Sequence, residues 1–161
     1  MTDVPNLSDL TSEQIVAHLN SWSEGWPASM GVRFVSASAE EVVAEIEVGP
    51  PHRQAYGIVH GGVYSGLIET VASVGAALDA MSRGQSAVGL ENHTSFLQAV
   101  REGTIRATAR PLAGGRRTQV WEGNVTDAAG RLVATGRVRL LTLDAGGSVA
   151  GETVAMRPTG G

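Results

Sequence analysis

The residues that could carry chemistry crowd into one stretch of this 161-residue chain, Gln54 to Leu78, QAYGIVHGGVYSGLIETVASVGAAL. From about Val63 to Met81 the residues are small, apolar and free of proline, which predicts a buried helix held by its packing. Between His60 and Asp79 only Glu69 is expected to be charged at neutral pH. Desolvating an unpaired carboxylate costs several kcal/mol, so its presence there calls for a use. Gly62, Gly66, Glu69, Ser73 and Ala76 follow steps of three and four and fall on one stripe of that helix, open to close approach by a backbone or a ligand. Ser73, one turn beyond Glu69, can hydrogen-bond its carboxylate or hold a water beside it.

The helix start is informative as well. His60, Gly61 and Gly62 precede it, with no Ser, Thr, Asp or Asn in capping position, so its first N–H groups are expected to stay open. Glycine there lets a carbonyl or anion come close. An oxyanion site and a carboxylate are the parts needed to attack an activated carbonyl. Glu69 lies eight residues from Gly61, about 12 Å along a helix rising about 1.5 Å per residue. One chain cannot bring both to one carbonyl. If they act together, two antiparallel helices must set Gly61 of one chain against Glu69 of the other, in two symmetric sites.

QAYGIVHGGVYSGLIETVAS, followed by NHTSF at Asn92 to Phe96, resembles the hot-dog-fold acyl-CoA thioesterases of the PaaI-like group, and within it the Glu-dependent 4-hydroxybenzoyl-CoA and 1,4-dihydroxy-2-naphthoyl-CoA enzymes. The likeness covers roughly residues 31–143. It implies an α+β fold with a curved antiparallel sheet around one long central helix. It also implies hydrolysis of an aryl or medium-chain acyl-CoA, with Glu69, Gly61, His60, Gln54 and Ser73 as the catalytic set. Glu69 would attack the thioester directly or activate water, and the residues leave both routes open. Gly62, Asn92, His93, Arg116, Arg117 and Thr118 are the expected contacts for the substrate and its coenzyme A. The arginines of GGRRT, the only adjacent basic pair in the chain, would hold nucleotide phosphates, where 4-hydroxybenzoyl-CoA members carry small hydroxyl residues. Coenzyme A enters only as part of the substrate, without a further cofactor, and the expected assembly is a homodimer within a homotetramer.

Composition narrows the alternatives. The net charge of −4 with 42% hydrophobic residues suits a soluble globular protein rather than a nucleic-acid binder. Cysteine is absent, which excludes disulfides and a thiol nucleophile. The acidic, polar N-terminus does not read as a signal peptide, no apolar run is long enough to span a bilayer, and the cytoplasm is the expected compartment. His52, His60 and His93 do not fall at metal-ligand spacings, so no metal is expected. GVYSG from Gly62 to Gly66 is G-x-x-S-G after a loop, not a nucleophile elbow. Two rivals share the fold. An enoyl-CoA hydratase or dehydratase would also pair a loop histidine with a helix acid, although the HFPG loop of the dehydratases is missing. The other rival is a non-catalytic acyl-CoA-binding module.

The remaining elements follow from pattern. Residues 1–30 form an expected N-terminal segment that is loose to Leu10. Its short helix, to about Trp22, starts at a Thr11/Gln14 capping box stapled by Leu10 and Ile15. Ser23 to Met30 is expected to be irregular. Val32 to Ser38 and Glu41 to Val48 alternate as a hairpin that Pro50 and Pro51 end. After the helix, strands are predicted at about Ser86 to Leu97, Thr104 to Pro111, Arg117 to Thr126 and Arg131 to Leu143. The core domain spans 31–143, and the Gly- and Ser-rich residues 144–161 are expected to be a disordered tail.

Overall fold

The computed structural model describes residues 7–154, apart from the side chain of Ser8. Of the segment expected to be loose to Leu10, residues 1–6 lie outside the described residues, while Leu7–Asp9 forms an ordered turn with Leu7 in the core; it leads into helix α1 (Ser12–Asn20), whose capping box forms as predicted. The Gln14 N–H donates to the Thr11 hydroxyl oxygen at 3.3 Å, and the Thr11 N–H donates to Gln14 Oε1 at 2.9 Å. The helix ends at Asn20, short of Trp22. Asn20 instead pairs with both backbone groups of Phe34, tying α1 to the first strand. Trp22, partly exposed, donates from its indole N–H to His18.

Strands β1 (Arg33–Ala37) and β2 (Val42–Val48) form the expected hairpin. Val42, Ala44, Ile46 and Val48 put one face of β2 in the core, while Glu45 and Glu47 face outward. The long helix is α3 (Gly61–Met81), and β3 (Ser86–Phe96), β4 (Gly103–Gly114), β5 (Thr118–Thr126) and β6 (Leu132–Leu143) follow it. All pairings are antiparallel, in the order β1-β2-β4-β5-β6-β3. β3 therefore leaves its sequence neighbour β4 and pairs with β6, which makes this 11-residue strand one edge of the six-stranded sheet.

The sheet closes on α3 through Leu67, Ile68, Val71, Ala72 and Ala76, all fully buried. Each fully buried Leu, Ile or Val contributes on the order of 1.5–3 kcal/mol. Close contact depends on glycines facing large side chains. A Cβ on Gly75 would stand 2.3 Å from the buried Trp121 ring, and one on Gly123 would stand 2.8 Å from Ile68. The Trp121 indole is satisfied in place: it donates to Gln119 Oε1, and Gln119 donates to the Ala76 carbonyl and to Asp79.

Two further expectations change. Within Ser23 to Met30 a short helix, α2 (Gly25–Ser29), forms, and it seats Trp26 against Gly66, where a Cβ would lie 2.4 Å from the ring. The gap in the small-residue stripe at Gly66 is thus filled from within the chain. Beyond Asp144, Ser148–Val149 and Glu152–Thr153 pair as a two-stranded ribbon, β7 and β8, and the rest of the expected tail, 155–161, lies outside the described residues. No helix among the described residues is long and apolar enough to cross a membrane.

Candidate active site

Glu69 lies half-buried on α3 with its carboxylate against β3. The two lean together because β3 carries Gly89 there, at an irregularity in its pairing with β6; a Cβ on Gly89 would be 2.4 Å from Glu69 Oε1. The carboxylate is held from two sides. The Ser73 hydroxyl donates to Oε1 at 3.4 Å, and the Asn92 amide donates to Oε2 at 3.0 Å. Asn92 donates also to the Ser65 carbonyl at 3.0 Å, while the Thr94 hydroxyl donates to Asn92 Oδ1 at 2.7 Å. Thr94 thereby fixes which end of the amide faces the acid. No arginine pairs with Glu69 among the described residues. Half-exposed, oriented and unpaired by any cation, this carboxylate is available to react.

The N-terminus of α3 departs from expectation. It is capped, by a residue outside the usual set: the Gly62 N–H donates to His60 Nδ1 at 2.8 Å. An imidazole lone pair here replaces the oxygen of a serine or aspartate. The Gly62 N–H is therefore occupied and is not an open contact for substrate. The Gly61 N–H has no acceptor among the described residues. With Nδ1 accepting, the proton of a neutral His60 ring sits on Nε2.

A cleft of about 300 Å³ opens at this helix start, lined by Gln54, Gly61, Tyr64 and Phe96 among others. Gln54 Oε1 accepts the Tyr56 N–H at 2.7 Å, which leaves the Gln54 NH2 as a donor at the cleft. The loop is fixed by hydrogen bonds from Gln54 N–H to the Ile58 carbonyl and from Val59 N–H to the Val100 carbonyl. Buried His52 braces it, accepting the Gly49 N–H on Nδ1 and facing the Met30 carbonyl with Nε2. Burial, with the charge of Asp127 adding to it, raises the Tyr64 phenol, so it stays a neutral donor; its hydroxyl has no partner among the described residues.

Comparisons with known proteins give the family of the chain. The description of the thioesterase superfamily matches residues 56–134, from the loop before α3 into β6. The proofreading thioesterase EntH of Klebsiella pneumoniae is 35% identical over 127 residues, 78% of this chain and 92% of that protein. The 1,4-dihydroxy-2-naphthoyl-CoA hydrolase of Escherichia coli is 32% identical over 121 residues, 74% and 88% of the two chains. The solved structure of thioesterase HI1161 from Haemophilus influenzae superposes with a TM-score of 0.74 at 26% identity, covering 84% of this chain and 92% of its own.

The chain belongs to the thioesterase superfamily. It is a thioester hydrolase of the hot-dog fold.

Other predicted residues of this thioesterase lie apart from the cleft. Arg116, Arg117 and Thr118 occupy the β4–β5 turn region, which the contacts of Gln119 with Ala76 and Asp79 place near the far end of α3. Within one chain they stand most of a helix length from Gly61. His93 is exposed on the β3 edge, and Asn92, expected to touch substrate, turns its amide to Glu69. Sequence reasoning missed Arg53 and Arg101. Arg53 Nε donates to the Arg101 carbonyl at 2.9 Å, and Arg101 Nη1 donates to the Tyr56 carbonyl at 3.0 Å, so both flank the Gln54 loop. Seven other arginines have carboxylate partners; among the described residues, these two do not. The position of Arg53 directly before Gln54 was the available signal; Arg101, in the β3–β4 connection, offered none.

A second, more apolar cavity of about 260 Å³ lies on the other side of Ser73, between α3 and the N-terminal α1–α2 segment. No cluster of three or more metal-ligating side chains occurs among the described residues.

Proposed function

We propose that this thioesterase hydrolyses an acyl-CoA at a site completed by two chains, and the observation that carries the reading is Glu69, partly exposed and aimed by Ser73 and Asn92. The Gly61 N–H, at the positive end of the α3 dipole, and the Gln54 NH2 polarise the thioester carbonyl. The Glu69 of the partner chain then takes a proton from water as its oxygen bonds to the carbonyl carbon. Collapse breaks the C–S bond, and the departing thiolate receives the proton. In the variant route the carboxylate itself forms the bond as the thiolate leaves, and water then opens the resulting anhydride, releasing the acid, restoring the carboxylate and supplying the proton that the thiolate takes up. Ser73 steadies the carboxylate, and His60 holds the glycine turn.

Edge strand β3 supports the pairing. It offers an open row of backbone groups, flanked by Leu90, Phe96 and Leu97, which are 51%, 56% and 46% exposed. Asn92 of β3 sits opposite Ser65, the residue midway between Gly61 and Glu69. Antiparallel β3–β3 pairing centred near Asn92 therefore sets each Gly61 towards the other chain's Glu69. The same pairing carries the Arg116–Arg117 turn of the partner back towards Arg53 and Arg101, a cationic rim suited to the phosphates of coenzyme A.

The test is steady-state turnover of acyl-CoA thioesters by Glu69→Gln, followed by free-thiol release. The expected loss of kcat is at least a hundredfold, about 2.7 kcal/mol of barrier. A loss below tenfold removes Glu69 from the central role. Water addition to an enoyl-CoA without thiol release would favour the hydratase instead.

A further inference from the structure

The cavity between α3 and the α1–α2 segment bears on the acyl group of the substrate, in an inference that rests on the hydrolase reading above. It opens beside Ser73, one turn from Glu69, so an acyl group attached to a thioester at Glu69 has this space within reach. Its lining includes Leu7, Leu19, Phe34, Leu78 and Met81, all hydrocarbon or thioether.

The polar groups in the lining are already engaged. Asn20 uses both ends of its amide on the backbone of Phe34. The Thr70 hydroxyl donates to the Gly66 carbonyl at 2.7 Å, Ser73 donates to Glu69, and the Trp22 indole donates to His18. The lone pairs left on Thr70 and Ser73 lie on α3 at the reacting end, not in the depth. Glu24 is exposed, where water competes for it.

We infer that this cavity selects a hydrocarbon acyl group, a medium aliphatic chain or an unsubstituted ring, over a hydroxylated one. A phenolic hydroxyl carried into the depth would lose its water and gain no partner. The Escherichia coli relative bears the name of a dihydroxylated substrate, so the preference inferred here is a property of this chain. Discrimination against a buried hydroxyl by an apolar pocket is limited to roughly a hundredfold. Because Leu7, α1 and α2 supply the wall facing α3, the N-terminal segment is the specificity element.

The experiment compares kcat/KM for octanoyl-CoA, benzoyl-CoA and 2,3-dihydroxybenzoyl-CoA. At least one hydrocarbon thioester is expected to exceed the dihydroxy one tenfold or more, and the first two arms separate chain from ring. Ala77→Phe, which fills the cavity, should lower the ratio of the preferred substrate to acetyl-CoA at least tenfold. Should that variant fail to fold, Met81→Ala should move the optimum towards dodecanoyl-CoA. Equal or better turnover of the dihydroxy substrate overturns the inference, as does an unchanged ratio in folded Ala77→Phe or an unmoved optimum in Met81→Ala. Calorimetry with the octyl, benzyl and dihydroxybenzyl thioethers of coenzyme A separates this from the hydrolase reading. Tenfold tighter binding of the octyl or of the unsubstituted benzyl thioether than of the dihydroxybenzyl one, without turnover of any thioester, would retain the cavity assignment and reject the hydrolase; equal binding of all three would reject the assignment.

Discussion

Asn92 commits its amide nitrogen to two acceptors, the carboxylate of Glu69 and the carbonyl of Ser65, while Thr94 holds its oxygen. A hydrogen bond to a charged group is worth about 1.5–3 kcal/mol, so a carboxylate without it loses much of its orientation. Asn92→Ala is expected to lower kcat roughly tenfold with KM little changed, and Thr94→Val to fall between it and the wild type. Steady-state kinetics on one acyl-CoA checks both; a change confined to KM would return Asn92 to the substrate. At this scale the sequence is legible wherever partners share a helix. Ser73 and Glu69 are four residues apart, and the spacing alone foretold their contact. Asn92 reaches the acid from another strand, so its role depends on how the sheet wraps the helix. The cap by His60 escaped notice because histidine is not among the usual capping side chains, although its Nδ1 lone pair does the same work.

Among the elements, the strands and the long helix follow from apolar periodicity and turn residues, and their ends fall within a few positions of expectation. The β5–β6 turn shows why. Asp127 Oδ1 accepts the N–H groups of Ala129 and Arg131, each at 3.0 Å, and Oδ2 receives Arg131 Nε at 2.7 Å. The Arg131 backbone N–H foremost holds this carboxyl below its ordinary value of 3.8. A lowered carboxyl stabilises the fold above its unfolded value and ceases to do so as pH falls through the folded one. Asp127→Asn is thus expected to melt below the wild type at pH 7, with the gap shrinking once pH drops under about 4. Thermal unfolding across pH 2–8 measures it, and a gap that widens in acid would contradict the account. Helix α2 was not legible: five residues, Gly25–Ser29, carry too little periodicity, and what holds Trp26 there is Gly66, some forty positions away.

For the whole molecule, the decisive property is that one chain holds Gly61 and Glu69 on the same helix, out of common reach. Mixing Glu69→Gln chains with Gly61→Pro chains tests the shared site. Proline suits the first helical position and removes only the N–H, although the Phe96 ring, 2.6 Å from a Cβ there, must shift. Random exchange makes half the dimers mixed, each with one intact site, so about a quarter of wild-type activity should return. No recovery above the parents, in dimers confirmed by light scattering, would mean that each chain works alone. Gln54→Ala serves as the second partner should Gly61→Pro unfold. The notch at Gly89 carries one more consequence. Because the acid of α3 occupies the spot a side chain on β3 would otherwise take, sliding that strand by a single residue would drive Val88 or Leu90 into Glu69. The carboxylate thereby discriminates among strand registers: of the neighbouring alignments, only the one that sets Gly89 against it leaves it room.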